Sequence, residues 1–90
     1  MHMPPEQLLH FPCDFIFKAF GPNAEPGQFA REVQEAIANV VPVPLDALKI
    51  RLSSRGTYVC VSVLVRLHSF DQMQEVYQAL RGVEGLKFLL

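Results

Sequence analysis

The stretch from Thr57 to Leu67 reads Thr-Tyr-Val-Cys-Val-Ser-Val-Leu-Val-Arg-Leu, an alternation so regular that few folds can accommodate it. Successive side chains of an extended strand point to opposite faces, so Val59, Val61, Val63, Val65 and Leu67 form one wholly apolar face. Tyr58, Cys60, Ser62, Leu64 and Arg66 form the other. Valine is stiff at its first side-chain torsion and favours a pleated strand over a helix. A face this apolar must be covered by another layer, so the helices of the chain are expected against the valines.

Other elements can be read around this strand. Pro4, Pro5 and Pro12 make residues 1–12 an irregular lead-in, with a short turn of helix around Glu6 to Leu9. Asp14 to Phe20 is rich in aromatic and aliphatic residues, stops at Gly21-Pro22-Asn23, and is predicted to be the first strand. Pro26 suits the first turn of a helix, and Phe29, Val33, Ile37 and Val40, with Ala36 alongside, recur at helical spacing. Arg31, Glu32, Glu35 and Asn39 fall on the wet side, and the Val41-Pro42-Val43-Pro44 segment ends the helix. Leu48 to Ser53 alternates apolar and basic residues, as in a half-buried strand at a sheet edge. Ser53-Ser54-Arg55-Gly56 is a hairpin turn. Ser69 with Gln72 matches a capping box, and Phe70, Met73, Val76, Tyr77 and Leu80 follow the helical period up to Gly82. Leu86 to Leu90 is the last strand, with Leu86, Phe88 and Leu90 on one side and Lys87 and Leu89 on the other.

The order βαββαβ defines an α+β, ferredoxin-like sandwich. Right-handed crossovers give a four-stranded antiparallel sheet, the first and third strands central, with both helices on one face. Residues 13–90 form this single domain. The opposite face is left uncovered and is expected to carry Ile16, Lys18, Phe20, Tyr58, Cys60, Ser62, Leu64, Arg66, Arg51, Lys87 and Leu89. That mixture is too apolar for an ordinary solvated surface and points to an interaction site.

Composition narrows the function classes. Ninety residues suffice for one core, and a chain this short buries only about 60% of its surface on folding, which favours self-association as a supplement. Half the residues are hydrophobic and 19% are charged, so the chain folds. A net charge of −1 gives no overall attraction to nucleic acid or to anionic membranes. Cys13 and Cys60 lack metal-ligand spacing with His2, His10 or His68, so free thiols are expected and no metal or cofactor. No apolar run is long enough to span a bilayer and no secretory signal opens the chain, leaving the cytoplasm as the default address.

Over almost its whole length the chain resembles the YbeD-like family of small, uncharacterised bacterial proteins. The resemblance is carried by Leu8-Leu9, Phe11-Pro12, Phe15, Phe17-Lys18, Gly21, the Ser53-Gly56 turn with Tyr58, Val61-Ser62-Val63, Val76-Tyr77 and Leu80. It implies a ferredoxin-like domain related in shape to the regulatory ACT domains of amino-acid metabolism, and a link to lipoate. The segment Glu25 to Val33 is also similar to the Pro-Gly stretch that opens the first helix of many ACT domains. That similarity implies a small carboxylate ligand, an amino acid or a lipoate-related acid, held near Asn23, Gly27 and the helix N-terminus.

Each candidate residue has a plain structural reading beside the functional one. Ser53, Ser54 and Arg55 could gather an anion, but a hairpin turn needs Gly56 and tolerates the same serines. Lys18, Phe20, Tyr58, Cys60, Ser62 and Arg66 either form a binding surface or simply face water. Arg55-Gly56-Thr57-Tyr58-Val59 is loosely similar to the basic-glycine-aromatic start of an RNA-recognition motif, but the later aromatic positions are aliphatic or small. No serine, cysteine or histidine is paired at a catalytic spacing, and Glu32 and Glu35 lie on a solvated helix face, so no enzyme is expected. The expectation is a regulatory or adaptor domain whose open sheet pairs with another protein or with a second copy. The alternatives are a carboxylate sensor and a weak RNA-binding module.

Overall fold

The valine ladder organises the molecule. In the computed structural model, which describes residues 9–25 and 27–90, Tyr58–Leu67 is a ten-residue strand, and Val59, Val61, Val63, Val65 and Leu67 are all buried. Numbered in chain order, the elements are β1 (Cys13–Pro22), α1 (Gln28–Ala38), β2 (Leu48–Leu52), β3 (Tyr58–Leu67), α2 (Phe70–Arg81) and β4 (Phe88–Leu89). The sheet runs β2-β3-β1-β4 and every pairing is antiparallel, so the ferredoxin-like plan and its central strands are as expected. The irregular lead-in of residues 1–12, its turn of helix at Glu6 to Leu9, and the placement of Pro26 fall wholly or largely outside the described residues. Leu9 and Phe11, which are described, pack against the core.

Both helices lie on the valine side. α1 buries Phe29, Ala30, Val33 and Ile37, and α2 buries Met73, Val76 and Leu80. Phe17 and Ala19 of β1 complete the layer between helices and sheet. Burying side chains of this size contributes roughly 1.5–3 kcal/mol each, so this single layer dominates stability. Phe15, Phe17 and Tyr77 meet as tilted and edge-on rings, Phe17 and Tyr77 with centroids 5.0 Å apart.

Three boundaries differ from the sequence reading. β1 runs on through Gly21 and Pro22, which pair with Val59 and Tyr58. The Asn23 N–H donates to the carbonyl of Thr57, just before β3, so the ring nitrogen of Pro22 faces the other way, toward the Gly85 turn, where no ladder bond is lost. α1 starts at Gln28 behind a left-handed Gly27 (φ 79°) and ends at Ala38, leaving Val40 beyond its last turn. β4 is the third case, and here the expected facing is inverted. Leu89 pairs with buried Ala19 and turns inward, while Phe88 pairs with Phe20 on the open face. Leu86 packs inward from the turn before the strand, so its burial says nothing of strand parity, and counting from it shifts every later side chain to the wrong face. Lys87 and Leu89 therefore leave the open face, and Phe88 and Leu90 join it.

Candidate functional site

Even-numbered residues of β1 and β3 build the uncovered face. Cross-strand register sets them in rows: Asp14 beside Arg66, Ile16 beside Leu64, Lys18 beside Ser62, Phe20 beside Cys60, and Pro22 beside Tyr58. β2 extends two rows, adding Lys49 beyond Ser62 and Arg51 beyond Cys60. β4 and the chain end extend the same rows on the far side. Phe88 stands beside Phe20, and Leu90 is tied to Lys18 by reciprocal backbone hydrogen bonds of 3.1 and 2.8 Å.

The result is apolar at both ends and along the β4 side, basic along β2, and low in the middle. Ile16 and Tyr58 are 50% exposed, Leu64 45%, Phe88 58% and Leu90 54%. Cys60 and Ser62, small and half-buried, form a floor between Leu64 and Tyr58 along β3. Phe20 and Phe88 lean on each other, centroids 5.9 Å apart at 59°. Arg66 donates to Asp14 at 3.2 Å, the only ion pair among the described residues. Both of its side chains are well exposed, so it adds no more than about 1 kcal/mol.

Lys18, Phe20, Tyr58, Cys60, Ser62 and Arg66 thus come together on one surface. Lys49, Phe88 and Leu90 belong to it as well, although the sequence reading leaves all three out. The alternation Leu48-Lys49-Ile50-Arg51 carries the signal for Lys49, since whichever face holds Arg51 also holds Lys49. The remaining candidates lie elsewhere. Ser53, Ser54 and Arg55 are exposed in the β2–β3 turn. The Ser53 hydroxyl accepts from the Tyr58 N–H at 3.1 Å, and its carbonyl accepts from Gly56, so the serine closes the hairpin.

Asn23 and Gly27 sit on the helix side, where a hollow of about 510 Å³ opens between the start of α1 and β2. Its apolar walls include Phe29, Ile50, Leu52 and Val59. Ile50 and Leu52 face the helices but project past their reach from an edge strand, and each is 54% exposed. The Asn23 side chain donates its amide to the Gly56 carbonyl at 2.9 Å, fastening the β1–α1 connection to the hairpin turn.

Among the described residues, no cluster of three or more histidine, cysteine or carboxylate side chains could hold a metal, and no helix is long and apolar enough to cross a membrane. Both cysteines are free. Among the described residues Tyr77 is the one titratable group clearly displaced: burial among Phe15 and Phe17 raises its phenol above 10.0, and Arg81 partly opposes this.

Residues 6–90 match the family described as Protein of unknown function (DUF493). The chain is 33% identical over 85 residues to a UPF0250 protein of Shewanella amazonensis, covering 94% of this chain and 93% of that one. It is 33% identical over 84 residues to a UPF0250 protein of Yersinia pestis, covering 93% of each. In shape it resembles the solution structure of protein HP0495 from H. pylori, with a TM-score of 0.72, 14% identity, and coverage of 100% of this chain and 97% of that one. It also resembles the ACT domain from GTP pyrophosphokinase of Chlorobium tepidum, with a TM-score of 0.60, 15% identity, and coverage of 87% and 97%.

Proposed function

The chain belongs to the DUF493 family of proteins of unknown function, and we propose that it is a non-catalytic regulatory or adaptor domain that docks protein through the open face of its sheet. One observation carries the reading. Five large apolar side chains, Ile16, Tyr58, Leu64, Phe88 and Leu90, stand about half exposed on the single sheet face that the chain's own helices leave uncovered. Ordinary surfaces scatter such residues singly, whereas a contiguous group with a charged rim marks a contact surface. A photo-crosslinking amino acid placed in cells at position 18, at the centre of that face, should give a discrete higher-mass adduct. The same probe at position 35, on the outer side of α1, should give none. Adducts from position 35 alone, or from neither position, defeat the reading.

A carboxylate sensor is the second reading. The hollow beside Asn23 and Gly27 favours it, together with the ACT-like shape. Thermal-shift measurement against amino acids and lipoate tests it, because a ligand at 100 times its dissociation constant adds about 2.7 kcal/mol. Unchanged melting with all of them removes it.

A further inference from the structure

From the distribution of charge we infer that the occupant of the open face is an acidic amphipathic α-helix of another protein. This rests on the docking reading above and assigns its partner.

Charge is sorted by side in this molecule. Lys18, Lys49 and Arg51 lie in two neighbouring rows of the open face, and no aspartate or glutamate side chain shares those rows. Asp14, a row apart beyond Ile16, is held by Arg66. The helices facing away carry Glu32, Glu35, Asp71 and Glu75 against Arg31 and Arg81. A chain of net charge −1 thus presents a cationic face, which its overall balance conceals.

The rows also set the shape of the guest. Lys49 and Lys18 flank Ser62 from the two neighbouring strands, as Arg51 and Phe20 flank Cys60. Residues two strands apart are separated by roughly 10 Å, close to the diameter of a helix with its side chains. A helix laid along β3 would rest its apolar stripe on Ser62 and Cys60, between Leu64 and Tyr58. Its flanking carboxylates would then meet Lys49 and Arg51 on one side and Lys18 on the other. Helices are also the usual cover for the bare side of a sheet.

Two other guests fit less well. A second copy stacked face to face about an axis near Lys18 would bring the two cationic patches close together, and like charges in proximity disfavour that pairing. Single-stranded nucleic acid would pair its phosphates with the cations. However, Ile16, Leu64 and Leu90 offer no stacking surface, and the rings of Phe20 and Phe88 are turned on each other.

The test is an NMR titration of the full isotope-labelled chain with three probes: a leucine/glutamate amphipathic helical peptide, its leucine/lysine counterpart and an oligouridylate. The glutamate peptide should shift the amides of Lys18, Phe20, Cys60 and Ser62 and bind about tenfold more tightly than the lysine peptide. The double variant Lys49→Glu, Arg51→Glu should invert that order; both sites are exposed on an edge strand, and retained amide dispersion verifies its fold. Equal binding of the two peptides, a stronger response to the oligouridylate, or concentration-dependent dimerisation through these amides overturns the acidic helix. If the glutamate peptide moves nothing while position 18 still crosslinks in cells, the acidic helix falls and the docking reading stands. If position 18 is silent too, both fall.

Discussion

Gly21 shows how one absent carbon fixes the fit between α1 and the sheet. It lies in the paired part of β1 against the Phe29 ring, and a Cβ there would clash with the ring carbons Cε1, Cζ and Cδ1. Gly21→Ala should therefore cost about 1–3 kcal/mol, read as a lower denaturant midpoint. Gly56, whose added Cβ would meet nothing within 4 Å, is constrained instead by its backbone (φ 73°) in the hairpin turn. Tyr77 makes a second prediction. Its phenol keeps its proton in the folded state to a pH above the ordinary 10.0, so at alkaline pH the unfolded chain ionises first and binds fewer protons. Its contribution is present in full below pH 10.0 and is lost as the pH rises through the higher folded value. Tyr77→Phe should remove that part of the alkaline slope in a stability-against-pH series.

Among the elements, legibility followed the strength of local chemistry. α2 is legible at its start because Ser69 and Gln72 act locally. The serine hydroxyl accepts from the Gln72 N–H at 3.1 Å, and the Gln72 side chain accepts from the His68 N–H at 2.8 Å. Ser69→Ala should cost about 1 kcal/mol, with a double-mutant cycle against Gln72→Ala showing the coupling. β4 is not legible in its facing, because two paired residues contain too little alternation to set a register. Only the partner strand decides it, through Ala19 and Phe20. Leu89→Glu should lower the melting temperature clearly, whereas Phe88→Glu, which loses only the half-exposed contact with Phe20, should lower it much less. The opposite order would restore the original facing. Lys49 is legible in principle, since the alternation that places Arg51 on the open face places it there too.

For the molecule as a whole, the layer order was available from sequence because periodicity differs so sharply between Thr57–Leu67 and the two helical stretches. What the open face gathers was only partly available. Lys18, Phe20, Tyr58, Cys60, Ser62 and Arg66 were found from alternation within each strand, but their arrangement into rows depends on register between strands. The separation of Asn23 and Gly27 from that surface is likewise a matter of topology: the β1–α1 connection crosses to the helix side. Removing grease from the sheet face should also separate folding from binding. Ile16→Ser with Leu64→Ser should change unfolding free energy by roughly 0.5 kcal/mol or less per site while abolishing the position-18 adduct.

The excess of cations on the open face, against an excess of carboxylates over cations on the helices, gives the domain a dipole moment with a component normal to its sheet. An acidic molecule diffusing nearby would exert a torque on it and turn the correct side forward before contact. Encounter should accordingly be fast in dilute buffer and slow steeply as ionic strength shortens the Debye length to about 8 Å, while the dissociation rate changes far less.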